Sequence, residues 1–123
     1  MLGGRHRDTK IDGSIHGTES HHPIANDVSD IATDDAPAIR MDKNDHIYRT
    51  GSWGNRKSSK RFRAKQKELI KEGKHDEAYK MGVEDIKAQN PGKYDTHIEQ
   101  MEKTLPKKND GTVDWSQFKK KKQ

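Results

Sequence analysis

Two adjacent histidines, His21 and His22, are the residues whose type and spacing most clearly indicate chemistry in this chain. Neighbouring side chains on extended backbone point to opposite sides. One imidazole can therefore bind a divalent cation while the other takes a proton from water. A second group of candidates follows in the segment Asp42-Lys43-Asn44-Asp45-His46, shortly before Arg49. The order of these groups is that of a cation site followed by a phosphate-binding surface.

Charge is distributed unevenly along the 123 residues, whose net charge is +5. The segment 56–74 contains nine Lys and Arg residues against two Glu residues, a local +7 that favours binding to nucleic acid. The alternative is a solvated helix face. The segment 27–45 precedes it with a local −4, which suits a cation site beside a phosphate-binding surface. The candidate nucleic-acid contacts are Arg56, Lys57, Lys60, Arg61 and Arg63.

Composition limits the kind of fold that the chain can form. Only 27% of the residues are hydrophobic and 37% are charged, so any core is small. Cysteine is absent, which excludes disulfides and thiolate metal sites. No apolar run approaches the roughly 20 residues of a membrane span.

The hydrophobic pattern predicts an α+β fold that is mostly helical. We expect residues 1–36 to be loop with short strands at most, and Ala38–Met41 to be a short strand. A helix beginning near Lys43 would carry His46, and Asp42 is a candidate cap for it. The pattern then predicts three longer helices, one from Ser58 or Ser59 to Glu72, one from Asp76 to about Asn90, and one that contains Tyr94, Ile98, Met101 and Leu105.

The segment around the histidines resembles a known family of nucleases. The relevant residues are Glu19-Ser20-His21-His22, then Ala38-Ile39-Arg40-Met41, then Asp45-His46, then Arg49-Thr50-Gly51-Ser52-Trp53-Gly54. This order is similar to that of the His-His toxin nucleases in the HNH/endonuclease VII-like (His-Me finger) superfamily, which occur as C-terminal toxin domains of bacterial polymorphic toxins. The resemblance implies a small ββα-metal element followed by about three helices. It also implies three parts, a flexible segment 1–18, a nuclease toxin domain 19–106 and a basic tail 107–123.

The resemblance also implies roles for individual residues. His21 would bind one divalent ion (Mg²⁺, Mn²⁺ or Zn²⁺), with His46 as a second ligand, and His22 would be the general base. Asp42, Asp45 or Glu19 would complete the metal shell, and Arg49 would hold the scissile phosphate. The chain departs from the family pattern in lacking an Asn between Asp27 and Asn44, and in having Thr50 where many members have another His. These departures leave the coordination shell open, and the two adjacent histidines could exchange roles.

Simpler interpretations exist for several of these residues. Asp42 is equally well explained as a helix cap, and Glu19 as a partner that orients a histidine. The histidines His6 and His16 fit disordered loop positions better than a metal site. Trp53 either stacks on a base or packs against the first long helix.

Four functions follow from these patterns. The leading one is a metal-dependent endonuclease, with DNA as the favoured substrate. The alternatives are a non-catalytic basic module that binds nucleic acid, a structural zinc domain, and a metal-independent ribonuclease. The resemblance further implies a cognate immunity protein, which the basic segment predicts to be acidic. It also implies secretion or delivery from a bacterium into a target-cell cytoplasm, as the C-terminal part of a larger protein.

Overall fold

The computed structural model of this protein describes residues 1–10 and 17–122. It has an α+β architecture, as the sequence predicts, with five helices and one small antiparallel sheet. The strands are β1 (Gly3–Arg5), β2 (Thr18–His21) and β3 (Pro37–Asp42). The helices are α1 (His6–Thr9), α2 (Lys43–Tyr48), α3 (Lys57–Lys71), α4 (His75–Gln89) and α5 (Asp95–Lys103). Short 3₁₀ turns occupy Thr33–Asp35 and Trp115–Gln117.

The central strand of the sheet is β3, which pairs antiparallel with β1 on one side and with β2 on the other. The predicted strand is confirmed and is one residue longer at each end. Its residues Ala38, Ile39 and Met41 are fully buried. Helix α2 begins at the residue after β3, so the pairing of β2 with β3 fixes the position of α2 relative to His21.

The three long helices are confirmed to within one or two residues at each end, with Tyr94 and Leu105 lying just outside α5 instead of within it. Their buried side chains include Leu69 on α3, Tyr79 and Ile86 on α4, and Ile98 and Met101 on α5. Together with residues of the sheet they form one hydrophobic core. None of the helices in the described part of the chain is long and apolar enough to cross a membrane.

Residues from both terminal segments, 1–18 and 107–123, contribute to the fold, although the predicted three-part division places them outside the folded domain. Strand β1 and helix α1 lie within the segment 1–18, which the resemblance predicts to be flexible, and Gly3 and Gly4 are buried. Two glycines have low strand propensity, and the partner of β1 lies more than thirty residues along the chain. In the segment 107–123, Phe118 joins the core. The predicted return of this segment onto the helices is therefore confirmed at Phe118.

Two residues of the long helices hold the loop that follows the paired histidines. The buried side chain of Gln66, on α3, accepts a hydrogen bond from the Ala25 amide and donates to the carbonyl oxygens of Pro23 and Ala78. Gly82, on α4, lies against Pro23 so closely that an added Cβ would stand 1.9 Å from the Pro23 carbonyl oxygen. The backbone next to His22 is thus fixed by direct contact with α3 and α4.

The substitution Gly82→Ala is expected to destabilise the protein by about 1–3 kcal/mol or more, because the methyl group would collide with backbone rather than with a movable side chain. The effect opposes helix propensity, by which alanine is about 1 kcal/mol better than glycine. Urea unfolding measures the net change in the free energy of unfolding, in which the steric cost and the gain in helix propensity are added. The substitution Ala88→Gly, at an exposed position of the same helix, measures the effect of helix propensity alone. A Gly82→Ala variant as stable as the wild type would show that α4 does not pack against Pro23 in this way.

Candidate functional site

Strand β2 brings the two adjacent histidines to the edge of the core. His21 is the last residue of β2, lies opposite Ile39 and is buried. Its ring contacts that of His46 edge to face, with 5.0 Å between the ring centroids. The ring of His22 lies instead against that of His6, at 4.4 Å. The two imidazoles therefore have separate neighbours, as extended backbone predicts.

Helix α2 presents His46 to β2, where Glu19 holds its ring. The Nδ1 atom of His46 donates to a carboxylate oxygen of Glu19 over 2.9 Å. This contact leaves the lone pair on Nε2 when the imidazole is neutral. A carboxylate behind a histidine is the usual arrangement for a histidine that binds a metal through its other nitrogen. Glu19 therefore acts as an orienting partner in this structure.

His22 is held in one tautomer by a backbone carbonyl. Because a carbonyl oxygen only accepts, the 3.2 Å contact between Nε2 and the Thr33 carbonyl places the proton on Nε2. Nδ1 then carries a free lone pair that can accept a proton. Burial, followed by the neighbouring His6, lowers the pKa of His22 to about 4, so that the ring is neutral near pH 7.

His21 is also neutral in this environment. Burial, with smaller contributions from His46 and His22, lowers its pKa well below the ordinary value. A neutral imidazole is the form that binds a metal ion. The pair therefore offers one buried ring beside His46 and one ring, in contact with His6, that has a lone pair on Nδ1.

The structure adds His6 to the cluster, contrary to the expectation of a disordered loop. His6 is the first residue of α1, and its Nδ1 atom lies 2.7 Å from the Ser20 hydroxyl. That hydroxyl is 2.6 Å from the hydroxyl of Thr9. No short-range pattern in the sequence could identify His6, because its placement depends on β1 pairing with β3. His16 lies outside the described residues.

A cavity of about 280 Å³ opens over this cluster. Its lining includes His21, His22 and His46, together with Asp27, Trp53 and Arg63. A larger cavity of about 470 Å³ lies between α4 and residues 111–113, and no histidine lines it. Of these two, the cavity over the histidines is the better candidate for a catalytic site, because imidazoles able to bind a cation or accept a proton meet there.

The carboxylates of Asp42 and Asp45 lie elsewhere. Both accept hydrogen bonds from the ammonium group of Lys93, at 2.8 and 2.7 Å, and Asp45 also accepts one from the Tyr94 hydroxyl. Consecutive residues of a helix point about 100° apart, so Asp45 faces α5 while the next residue, His46, faces β2. The prediction that Asp42 or Asp45 completes a metal shell with His21 and His46 is therefore wrong for this structure, in which both carboxylates contact Lys93. Asp42 occupies the N-cap position of α2 without a side-chain capping bond.

Tyr94 and Lys93 explain the protonation state of Asp45. Burial raises the pKa of Asp45, but hydrogen bonds from Lys93 and Tyr94 outweigh burial and leave the pKa below its usual range. The pKa of Tyr94 rises to about 12, because of burial and its bond to Asp45. This carboxylate anchors α2 to the segment before α5.

Arg49 and Thr50 follow α2 and have different environments. The Arg49 side chain is largely exposed and lies 3.6 Å from Asp45, and it does not line the histidine cavity. Thr50 is fully buried, and its hydroxyl donates to the carbonyl oxygen of His46. Thr50, which stands where many members of the resembled family have a histidine, therefore supports the end of α2.

The predicted nucleic-acid contacts divide into two groups. Four are exposed at the start of α3, namely Arg56, Lys57, Lys60 and Arg61. Arg63 instead turns towards the loop before α3, where its guanidinium group donates to the carbonyl oxygens of Ser52 and Gly54. The exposed group forms a cationic surface beyond the cavity, whereas Arg63 belongs to the cavity wall.

The donor set around His21 and His46 suits a divalent ion held only partly by the protein. It consists of two imidazoles, one of them oriented by a carboxylate. Within residues 1–10 and 17–122, no group of three or more His, Asp or Glu side chains is arranged to hold a metal. A closed structural zinc site needs four ligands, so the described residues do not form one. A two-ligand site would leave positions for water and phosphate oxygens.

Comparisons with protein-family models, curated proteins and solved structures found no significant match to this chain.

Proposed function

We propose that this chain is a metal-dependent endonuclease. The observation that carries the proposal is the convergence of His21, His22 and His46 on one cavity, in which the ring of His22 lies apart from the paired rings of His21 and His46. Two antiparallel strands followed directly by α2 also have the ββα order of the metal element in the resembled nucleases. The three longer helices follow it, as the resemblance implies.

In the proposed mechanism, His22 is the general base. Its Nδ1 atom accepts a proton from the attacking water, while the Thr33 carbonyl holds the ring in place. His21 and His46 would hold the divalent ion, and Glu19 keeps Nε2 of His46 available. When bound, such an ion would stabilise the charge that develops on the phosphate and the leaving oxygen.

Incubation of the purified chain with supercoiled plasmid, with single-stranded DNA and with RNA, each with and without EDTA, tests the proposal. We expect cleavage in the presence of Mg²⁺ or Mn²⁺ and its loss with EDTA. Intact DNA and RNA under every metal condition would overturn the proposal and leave the non-catalytic binding module as the remaining interpretation.

The second candidate is a metal-independent ribonuclease, and the contact between His6 and His22 favours it. Two histidines can divide the work of acid and base in the transfer of a phosphate to a neighbouring hydroxyl. This candidate predicts cleavage of RNA that resists EDTA and is absent on deoxy substrates. The metal-dependent endonuclease predicts the opposite response to EDTA.

The exposed basic residues at the start of α3 are proposed to hold the backbone that flanks the cleaved bond. The double substitution Lys60→Gln/Arg61→Gln should reduce the slope of log affinity against log salt by about 0.7 per lost phosphate contact on single strands and about 0.9 on duplex DNA. The charge-matched control is Lys80→Gln/Lys87→Gln on α4, which should change the slope little. An equal change in both variants would indicate a general effect of net charge.

The resemblance further supports the proposal that the chain is an antibacterial toxin domain at the C-terminus of a larger secreted or delivered protein. Its activity would then be exerted in the cytoplasm of the target cell. The producing cell would need an immunity protein. The exposed cationic residues of α3 suit an acidic partner surface.

A further inference from the structure

Trp53 stands at the mouth of the histidine cavity with much of its side chain in solvent. It is 43% exposed and lines the same cavity as His21, His22 and His46. Tryptophan side chains are highly buried on average in folded proteins, whereas Trp53 is one of four large hydrophobic residues that are exposed in the described part of this chain. A partly exposed indole beside candidate catalytic groups offers a flat apolar face to a ligand.

The loop that carries Trp53 is fixed on both sides. The Arg63 guanidinium group donates to the carbonyl oxygens of Ser52 and Gly54, the two neighbours of Trp53, over 2.5 and 2.7 Å. The amide of Gly51 donates to the Asp85 carboxylate over 2.7 Å. These contacts connect the loop to α3 and α4, so the exposed indole is presented by a braced segment.

The chemistry around Trp53 matches that of a single-stranded nucleic acid. Bases of any sequence stack on an exposed indole, and a cationic surface beside it tracks the phosphates. Here the cationic surface is the start of α3, where Arg56, Lys57, Lys60 and Arg61 are exposed. The faces of bases inside a duplex are already stacked on their neighbours and do not offer a free surface to Trp53.

We infer that Trp53 stacks on an unpaired nucleobase next to the scissile phosphate, which makes single-stranded nucleic acid the substrate class of this site. The inference rests on the proposed nuclease function for the position of the scissile phosphate. It adds to that function a role for Trp53 in selecting single-stranded over duplex substrate. Arg63 is a positioning residue, because it acts through the loop that presents Trp53.

Tryptophan fluorescence of the full chain in EDTA tests the contact directly. The substitution Trp115→Phe removes the second tryptophan, so that all of the emission comes from Trp53. The probes are a short thymidine oligonucleotide, a short uridine oligonucleotide and a blunt DNA duplex of the same length. We expect both single strands to quench the emission at saturation and the duplex to quench it weakly. Because the two strands differ in the 2′-hydroxyl and in the C5 methyl group of the base, quenching by both shows that the contact requires neither group.

Affinity measurements with labelled strands then separate stacking from charge. Loss of one stacked base costs about 1–3 kcal/mol, so Trp53→Ala should weaken single-strand binding by about 5- to 150-fold, with little effect on the duplex. The variant Trp53→Phe retains a ring and should recover part of the loss. Tyr48→Ala is the matched control, since Tyr48 is 69% exposed and does not line the cavity. Thermal unfolding of each variant verifies that the fold is intact.

Equal losses for single strands and duplex in Trp53→Ala, or no quenching by either single strand, would overturn the inference. Its failure is separable from that of the nuclease proposal. Metal-dependent cleavage that is insensitive to Trp53→Ala would remove the stacking role and leave the nuclease. Trp53-dependent binding without cleavage by the wild type would support the stacking role and remove the nuclease.

Discussion

Replacing His22 by alanine is expected to slow cleavage by about 10²–10⁴-fold, the usual contribution of a positioned general base. The reason is the free lone pair on Nδ1, which the contact between Nε2 and the Thr33 carbonyl keeps available. The measurement is the first-order rate of cleavage with enzyme in excess over a labelled strand. Binding of the strand in EDTA should change little, because the substitution removes a proton acceptor and not a cation.

His75→Ala is the matched control for a lost imidazole. His75 begins α4 and contacts Asp30 over 2.9 Å, and it does not line the histidine cavity. We expect its cleavage rate to stay within about twofold of the wild type once folding is verified. Cleavage by the His22→Ala variant at the wild-type rate would contradict the assignment of His22 as the general base. If the adjacent histidines exchange roles, His21→Ala rather than His22→Ala will cleave slowly at saturating metal.

The second large effect is expected on stability, from the substitution Gln66→Leu. Gln66 is fully buried and satisfies three backbone groups, namely the Ala25 amide and the carbonyl oxygens of Pro23 and Ala78. Leucine has a similar size but offers no polar atom, and each unsatisfied buried group costs about 1–3 kcal/mol. Since such costs are not additive, we expect a total loss of about 3–5 kcal/mol in the free energy of unfolding.

Urea unfolding measures this loss, and Lys65→Leu on the exposed side of the same helix is its control. The control should change stability by no more than about 0.5 kcal/mol. Because Gln66 holds the loop that follows His22, cleavage by Gln66→Leu should also fall under conditions in which the variant remains folded. A loss below about 1 kcal/mol would show that water or a movement of the loop replaces the three hydrogen bonds.

Sequence reasoning was most successful where the pattern is local. The three long helices are marked by apolar residues at helical spacing, and Ala38–Met41 by its alternation of apolar and polar residues. The start of α2 after Asp42 agreed as well. Each of these signals extends over a few turns or a few residues, and tertiary contacts reinforce it.

The parts that sequence reasoning missed depend on contacts between distant segments. Gly3–Arg5 has little strand propensity of its own and becomes a strand by pairing with β3, which then brings the ring of His6 against that of His22. Gln66 looks like an ordinary polar residue of a basic helix, and only its backbone partners from other segments explain its burial. The one signal in the sequence was the position of Gln66 on the side of the helix that carries Phe62, Leu69 and Ile70, where a polar side chain needs buried hydrogen-bond partners.

The candidate site was anticipated in part. The structure brings together His21, His22, Glu19 and His46, whereas it pairs Asp42 and Asp45 with Lys93. Asp42 and Asp45 are close to His46 in sequence, but both carboxylates contact Lys93 on another segment. Neighbours along a helix face different directions, so the residue beside a functional side chain in sequence is seldom beside it in space.

In the proposed nuclease, the cavity beside β2 is the catalytic centre, and the paired imidazoles of His21 and His46 hold the divalent ion. An anomalous difference map from crystals soaked in Mn²⁺ would locate this ion. We expect a peak within bonding distance of His21 and His46, with His22 beside it and not bound to it. A peak bound by Asp42 and Asp45 in place of Lys93, with none at the histidines, would contradict it.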